Sequence, residues 1–256
     1  MSLTAEALTI GYEGRTVIDA LDLEIPEGKV TAILGPNGCG KSTLLKTLAR
    51  LIEPESGRVL LQGDDIHASH SGKLARRLAI LPQDPLAPDG ITVGDLVRRG
   101  RTPWRGFLSP WREEDAAACA RALEAVQLTH LAERPLNELS GGQRQRAWIA
   151  LVLAQDTPLL LLDEPTTFLD LVHQLEVLSL LRQRNRDTGL TVVSVLHDLN
   201  MAARFSDMLV LLGRGGLVAT GAPETVLTPD NLDRAFGLAA RVEPDPVTGK
   251  PMVCPL

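Results

Sequence analysis

The chain has 256 residues, 44% hydrophobic and 23% charged, a length at which a globular protein buries a core without disulfides or structural metals. Its formal net charge is −6 at pH 7 and it has no long block of lysine and arginine, so nucleic acid is disfavoured as the main partner. The three cysteines, Cys39, Cys119 and Cys254, lack the paired spacing of metal ligands and indicate a reducing cytosol.

The first third of the chain predicts short strands separated by glycine or proline turns, at residues 7–10, 30–34, 58–62 and 78–81. The middle third predicts helices at residues 115–128 and 142–154. In the first of these, a single buried face is expected to carry Ala116, Ala120, Leu123 and Val126.

The last part of the chain returns to strands at residues 159–162 and 190–196, which are nearly all apolar and suit a parallel sheet buried on both faces. A helix over residues 171–186 is expected to end at Gly189, and residues 208–220 predict a hairpin. A short helix over residues 230–236 and a hairpin around Gly249 close the chain. The pattern is that of an α/β protein forming one domain with an insertion.

No apolar run has the ~18–20 residues that a membrane-spanning helix needs, and no secretory leader is recognisable. We therefore expect a cytoplasmic protein, and docking on a membrane protein stays open.

Residues 35–43 read Gly-Pro-Asn-Gly-Cys-Gly-Lys-Ser-Thr and lie between an apolar strand and a segment of helical periodicity at residues 44–52. Such a loop wraps backbone N–H groups around a polyphosphate, and the following helix aims its positive dipole end at the same anion. Lys41 is expected to reach the β and γ phosphates and Ser42 to ligate Mg²⁺. The predicted contacts of the loop come from Asn37, Gly38, Cys39, Gly40, Lys41, Ser42 and Thr43.

Cys39 lies beside the start of this helix, a position that favours the thiolate. We therefore expect thiol reagents to modify it and to block nucleotide binding.

Four leucines at residues 159–162 are followed by Asp163 and Glu164, so two carboxylates stand at the end of a buried strand. Asp163 is predicted to hold Mg²⁺ directly or through water. Glu164 is then free to polarise a water for attack on the γ-phosphate. Taken alone the pair could equally be an acidic surface turn, and the glycine loop is what favours the catalytic interpretation.

A second helix start follows Leu139, where Ser140 precedes two glycines and Gln143. Serine at this position is an N-cap, which is structural by itself, but helix starts also bind anions. A second phosphate site formed by Ser140, Gly141, Gly142 and Gln143 is therefore a hypothesis of the sequence.

Residues 139–143 resemble the signature peptide of ABC-type ATPases, and the resemblance extends over almost the whole chain. It implies that Tyr12 stacks on adenine beside Val17, that Gln83 senses Mg²⁺ and the γ-phosphate, and that His197 contacts that phosphate. Asp170 matches the loop that crosses to a partner subunit. The implied cofactors are ATP and Mg²⁺, with Lys41, Gln83, Glu164 and His197 in catalytic roles and Ser42, Gln83 and Asp163 at the metal.

The same resemblance implies a P-loop NTPase core at residues 1–84 and 156–220, with an N-terminal antiparallel β subdomain. It also implies an inserted α-helical subdomain at residues 85–155 and a short extension at residues 221–256. Two copies are expected to form a head-to-tail dimer, in which Ser140, Gly141 and Gly142 of one subunit close on the nucleotide held by Lys41 and Ser42 of the other.

Softer marks, among them residues 100–104 and 166–170, resemble the importer branch for ferric siderophores, haem and vitamin B12, with the ferric-siderophore members favoured. Implied partners are membrane permease subunits and, indirectly, a substrate-binding protein, which places the chain peripherally on the cytoplasmic side of the membrane. A non-transport ATPase of the same fold and a nucleotide-gated switch without turnover remain as alternatives.

Trp104, Phe107 and Trp111 cluster in a chain that is only 3% aromatic. We expect them to border a groove beside the Gln83 loop that receives a short permease helix, or else to pack in the core. His67, His70, His130 and His173 are interpreted as surface or cap residues, and a metal site formed by His67 and His70 is disfavoured.

Overall fold

The structure is a computed structural model that describes residues 2–12, 14–105, 109–167 and 169–256, with the backbone alone for Tyr12. The expectations on Phe107 and on the Tyr12 ring lie outside the described residues. In the described part no helix is both long enough and apolar enough to cross a membrane.

A six-stranded sheet forms the centre of the fold, in the order β10-β9-β3-β8-β7-β6. All neighbouring strands are parallel except the β9–β10 hairpin. The inner strands β3, β7 and β8 are buried along their whole length, which explains their apolar sequences. The six strands are β3 (Val30–Leu34), β6 (Leu78–Leu81), β7 (Leu159–Asp163), β8 (Thr191–Val195), β9 (Met208–Gly213) and β10 (Gly216–Gly221).

A second sheet of antiparallel strands lies at the N-terminus in the order β2-β1-β4-β5. Its apolar face and the first helix share one hydrophobic cluster with the central sheet. The strands are β1 (Leu3–Tyr12), β2 (Arg15–Ile25), β4 (Ser56–Leu61) and β5 (Asp64–Asp65). The mostly parallel central sheet, the antiparallel N-terminal sheet and the helices together confirm the predicted α/β fold.

The nine helices of the described residues surround these sheets, and α3, α4 and α5 pack on one another. They are α1 (Lys41–Leu48), α2 (Ser71–Leu74), α3 (Val93–Arg99), α4 (Glu113–Ala125), α5 (Gly141–Ala154), α6 (Leu171–Thr188), α7 (Leu199–Phe205), α8 (Pro223–Val226) and α9 (Pro229–Phe236). A third sheet pairs β11 (Ala240–Pro244) with β12 (Pro251–Pro255), as the hairpin around Gly249 predicted.

The predicted buried face of α4 is partly wrong. Leu123 is buried, as is Val126 just after the helix, but Ala116 and Ala120 are exposed. The face is rotated because Asp115 turns inward, where its carboxylate accepts a hydrogen bond of 3.0 Å from the Arg101 guanidinium. A buried charge is tolerated there because a partner of opposite charge is buried with it.

Gly189 ends α6 as predicted, with a φ of 71° that favours glycine. The sequence analysis did not predict β2, β5, α2, α3, α7 or α8, and it extended the first helix to residue 52 although α1 ends at Leu48.

Candidate functional site

The carboxyl ends of the parallel strands bring the predicted site residues to one edge of the central sheet. The glycine loop follows β3, Gln83 follows β6, Asp163 ends β7 and His197 follows β8. Loops at this edge of a parallel sheet are the usual place for a ligand site. The fold itself therefore assembles residues that are far apart in the sequence.

The glycine loop has a backbone that side chains would disrupt. Gly35 has a φ of 152°, and a Cβ on it would lie 2.5 Å from the Leu212 carbonyl oxygen. Gly40 has a φ of 101° just before α1, and a Cβ there would lie 2.8 Å from Val17 Cγ1. Both contacts are shorter than real Cβ atoms tolerate, so the loop keeps its shape only with glycine.

Lys41 bends back over this loop. Its ammonium group donates hydrogen bonds to the carbonyl oxygens of Gly35 at 2.9 Å and Pro36 at 3.0 Å, and the residue is only 5% exposed. The first turn of α1 presents unpaired N–H groups to the same concavity. The loop therefore offers a fixed positive charge and backbone donors to an anion.

Ser42 and Asp163 are joined by a hydrogen bond of 2.8 Å from the serine hydroxyl to Oδ1 of the carboxylate. Asp163 is fully buried, and its other oxygen, Oδ2, has no hydrogen-bond partner. Burial raises the pKa of Asp163, against the lowering effects of the Ser42 hydrogen bond and the Lys46 charge. An orphaned buried carboxylate oxygen beside a hydroxyl is a donor set that suits Mg²⁺, so the residues present fit the predicted metal.

Glu164 is held by three side chains. Its Oε1 lies 2.7 Å from His197 Nε2, and its Oε2 accepts hydrogen bonds from Gln83 Nε2 at 2.9 Å and from the Thr167 hydroxyl at 3.0 Å. Its backbone has a φ of 53°, a strained value for glutamate. The carboxylate is therefore fixed in one orientation.

A cavity of about 510 Å³ unites most of the predicted site. Its lining consists of Val17, Asn37, Gly38, Gly40, Lys41, Ser42, Thr43, Gln83, Glu164 and His197. Cys39 lines an adjoining cavity of about 600 Å³ instead, together with Arg15 and Arg214, two exposed arginines that sequence reasoning did not single out. Thr167 was also missed, and only its place three residues after Glu164 could have signalled it.

The second helix start is well formed but lies elsewhere. Ser140 caps α5, accepting from the Gln143 N–H at 3.3 Å, while the Ser140 N–H donates to Gln143 Oε1 at 3.1 Å. The N–H groups of Gly141 and Gly142 belong to the first turn and have no acceptor within the helix. None of these residues, nor Asp170, lines the 510 Å³ cavity among the residues described.

The prediction of a reactive Cys39 thiolate is wrong. Cys39 is 5% exposed, and burial raises the pKa of its thiol, more than the neighbouring Lys41 charge lowers it. The free-energy cost of removing a thiolate from water is larger than the stabilisation that the Lys41 charge and the nearby backbone N–H groups give it.

The groove between the Gln83 loop and the tryptophans stays a prediction, since part of that segment lies outside the described residues. Trp104 and Trp111 are 37% and 38% exposed, so the alternative that they pack in the core is wrong. Trp104 donates its indole N–H to the Gln155 carbonyl, and the guanidinium carbons of Arg76 and Arg101 lie 5.5 and 5.4 Å from its ring centre. Next to the Gln83 loop there is a cavity of about 180 Å³ that neither tryptophan lines. Its residues come from 85–91, from Leu136 and Asn137, and from Arg144 and Trp148 of α5.

His70, which the sequence analysis interpreted as a surface or cap residue, caps α2: its Nδ1 accepts a hydrogen bond from the Gly72 N–H at 3.2 Å. Within the ranges described, no three acidic, histidine or cysteine residues are grouped so that they could hold a metal ion.

A family model described as ABC transporter matches residues 18–167. The achromobactin transport ATP-binding protein CbrD of Dickeya dadantii (strain 3937) is 51% identical over 254 residues, covering 99% of this chain and 94% of that protein. The ferric enterobactin transport ATP-binding protein FepC of Escherichia coli (strain K12) is 50% identical over the same coverage of both chains.

Solved structures agree with these matches. An inward-facing conformation of a putative metal-chelate type ABC transporter has a TM-score of 0.86 and 31% identity, covering 100% of this chain and 97% of that one. The cassette MJ0796, in a dimeric post-hydrolysis state bound to ADP and Pi, has a TM-score of 0.77 and 28% identity, covering 86% of this chain and 98% of that one.

Proposed function

Since the chain belongs to the ABC transporter family, we propose that it is the ATP-hydrolysing subunit of a bacterial importer of ferric siderophores. The observation that carries the proposal is the single cavity in which Lys41, Ser42, Gln83, Glu164 and His197 meet. Relatives named for the transport of achromobactin and ferric enterobactin, each about half identical along nearly the whole chain, supply the transported class.

ATP is the substrate of this cavity. Its phosphates fit the concavity of the glycine loop, where the Lys41 ammonium exchanges the carbonyl oxygens of Gly35 and Pro36 for phosphate oxygens. Val17 lines the cavity, and Tyr12 is the residue that we propose for stacking on adenine. Ser42, Asp163 and Gln83 would hold Mg²⁺, which would supply positive charge to the phosphates during transfer.

Glu164 acts as the general base. Its carboxylate is anchored by Gln83, Thr167 and His197, so one orientation is available to accept a proton from an attacking water. His197 then lies within reach of the γ-phosphate, and a donor there stabilises charge on the phosphate as the bond breaks. Hydrolysis yields ADP and inorganic phosphate.

The active form is a head-to-tail dimer. The unpaired N–H groups at the start of α5 have no nucleotide to meet within their own chain, and a second copy supplies one. Ser140, Gly141, Gly142 and Gln143 of one subunit, with Asp170 beside them, close on the phosphates bound by the other. The dimeric structure of the MJ0796 cassette with ADP and Pi supports a dimer.

The helical subdomain, residues 85–155, connects this dimer to the membrane permease. The cavity bordered by residues 85–91 and Trp148 has room for a few apolar side chains of a permease helix, and Leu86 at its edge is 95% exposed. Residues 1–84 and 156–220 form the nucleotide-binding core, and residues 221–256 form the short extension. The subunit then lies on the cytoplasmic face of the membrane, served indirectly by a substrate-binding protein.

Vitamin B12 as the transported ligand is the second candidate, supported by 40% identity to a cobalamin import ATP-binding protein of Halobacterium salinarum (strain ATCC 29341 / DSM 671 / R1). That relative is longer, since the match covers 64% of its length.

The test is uptake by cells or vesicles that contain the co-purified permease complex. We expect ATP-dependent uptake of a labelled ferric siderophore and none of labelled B12, with Lys41→Ala abolishing both uptake and ATP hydrolysis. B12 uptake without siderophore uptake would transfer the proposal to the second candidate. ATP hydrolysis that no permease or ligand influences would favour a non-transport ATPase.

A further inference from the structure

Thr167 lies three residues after Glu164, on the turn that follows strand β7. Its hydroxyl donates a hydrogen bond of 3.0 Å to Oε2 of the Glu164 carboxylate. Its backbone N–H donates to the Glu164 carbonyl at 3.2 Å, so side chain and backbone close the same turn. Helix α5 also holds this turn, because the Gln145 side chain donates to the Pro165 carbonyl at 3.0 Å. The hydroxyl is therefore presented to the carboxylate by a turn that has supports of its own.

The two other partners of this carboxylate are more open to a ligand. Gln83 is exposed, and the His197 side chain is 48% exposed, whereas that of Glu164 is only 10% exposed. Among the residues that the structure describes, Gln83 and His197 line the cavity of about 510 Å³ and Thr167 does not. A nucleotide in this cavity would meet Gln83 and His197 directly, but it would not compete for the Thr167 hydroxyl.

The three hydrogen bonds are divided unequally between the two carboxylate oxygens. Oε2 accepts from Gln83 Nε2 at 2.9 Å and from the Thr167 hydroxyl, whereas Oε1 has only His197 Nε2, at 2.7 Å. Each oxygen of an ionised carboxylate has about two lone-pair positions. Both positions of Oε2 are thus used, and Oε1 keeps one for a further donor. A His197 ring that turned to the γ-phosphate would free Oε1 altogether.

We propose that Thr167 is a positioning residue, which holds Oε2 of Glu164 during hydrolysis and so makes Oε1 the oxygen that takes the proton from water. In this step the water oxygen bonds to the γ-phosphorus, the bond from that phosphorus to the ADP oxygen breaks, and one water proton passes to Oε1. The inference rests on the proposed role of Glu164 as the base. A base held in one orientation needs no rearrangement before it reacts, and the Thr167 hydroxyl supplies that order.

The experiment measures single-turnover ATP hydrolysis by the complete permease complex, with ATP affinity measured on the same preparations. Thr167→Val removes the hydroxyl and keeps the branched shape of the side chain. We expect it to lower the rate about 10–100-fold, which is part of the roughly 10²–10⁴ that a general base contributes. ATP affinity should stay within about twofold, because Thr167 does not line the cavity. Thr167→Ser keeps the donor, so we expect a rate within about threefold of the wild type.

A second comparison separates positioning from a purely structural role. In the Glu164→Gln background there is no carboxylate to orient, so adding Thr167→Val should slow hydrolysis by no more than about twofold further. A residue that only supports the turn would slow both backgrounds by the same factor. Thr129→Val is the matched control, because Thr129 is exposed, lies outside the cavity and makes no side-chain hydrogen bond among those described. It should hydrolyse ATP as the wild type does.

A Thr167→Val complex that hydrolyses ATP at the wild-type rate overturns the inference, and so does a Thr167→Ser complex as slow as the valine variant. An equal loss in the two backgrounds, or a matching loss of ATP affinity, overturns it too, because either shows a structural role. Thr167→Ala carries the same prediction if the valine does not fit. If Glu164→Gln itself hydrolyses ATP at the wild-type rate, the proposed base fails and the inference falls with it. If only the Thr167 variants differ from expectation, the proposed function stands.

Discussion

Replacing Glu164 with glutamine removes the proposed base while keeping the shape of the side chain. In the structure the two carboxylate oxygens face three partners, His197 on one side and Gln83 with Thr167 on the other. The amide oxygen of a glutamine can take the side of Gln83 and Thr167. Its NH₂ group then donates to His197 Nε2, which accepts in the tautomer protonated at Nδ1.

The expected cost in stability is therefore small and the expected cost in rate is large. All three hydrogen bonds survive the change, so we expect the free energy of unfolding to fall by less than about 1.5 kcal/mol, the net worth of one such bond. A general base contributes roughly 10²–10⁴ in rate, which corresponds to about 2.7–5.4 kcal/mol in the activation barrier.

The assay is single-turnover ATP hydrolysis by the permease complex, with ATP binding and thermal unfolding measured on the same preparations. Glu133→Gln is the matched control, since Glu133 is exposed and lies outside the cavity. A Glu164→Gln complex that hydrolyses ATP within about threefold of the wild type would refute the assignment of the base. Loss of ATP binding together with hydrolysis would show that the side chain supports the cavity instead.

Three further predictions concern packing and reactivity. Arg101→Leu should lower the free energy of unfolding, measured with urea, by about 3–5 kcal/mol, because it leaves the buried Asp115 carboxylate unpaired. Adding Asp115→Leu should recover most of this loss, and a double variant as unstable as the single one would contradict the prediction. Iodoacetamide at pH 7 should label Cys39 more slowly than the less buried Cys254, because burial raises the Cys39 pKa, and mass spectrometry showing the reverse order would contradict it. Asn200→Ala should speed hydrogen exchange in strand β12 roughly fivefold or more, because the Asn200 side-chain amide donates to the Val253 carbonyl at 3.2 Å and accepts from the Val253 N–H at 2.7 Å. The central sheet should keep its protection, and unchanged exchange in β12 would show that other contacts hold the hairpin.

The central sheet could be predicted because its inner strands are buried along their whole length. Strands β3, β7 and β8 are covered on both faces, so their sequences are continuously apolar and cannot be mistaken for a solvated element. Strand β2 escaped prediction for the opposite reason. It alternates irregularly between buried and exposed residues, and its pairing with β1 shifts register between Leu8 and Ile10 and again after Ile10.

The face of α4 shows a limit of another kind. Alanine is small and apolar, so Ala116 and Ala120 fit a predicted buried face although they are exposed. The true face is chosen by Asp115, whose burial makes sense only with Arg101 from a different helix end beside it. Single-sequence periodicity counts both as polar and places them outside, because the pairing that makes them compatible with burial is a tertiary contact.

The candidate site divides along the same line. Lys41, Ser42, Asp163 and Glu164 are recognisable because phosphate and metal chemistry restricts both the residue types and their spacing, and the strands then bring them together. Thr167 carries no such restriction. A threonine near a helix start is ordinarily a local cap, and its contact with Glu164 depends on how a loop folds back.

The thiolate of Cys39 was predicted wrongly because the effects that favour it are visible in the sequence, whereas the larger effect that opposes it is not. The helix start and the Lys41 charge favour the thiolate, and both can be inferred from sequence spacing. Burial disfavours it, and the burial arises from the close approach of the glycine loop to β9: a Cβ on Gly35 would lie 2.7 Å from Cys39 Sγ and 2.5 Å from the Leu212 carbonyl oxygen. The same tight packing that shapes the loop for phosphate thus keeps the thiol protonated, because the loop reaches its shape only by excluding water from the residue at its centre.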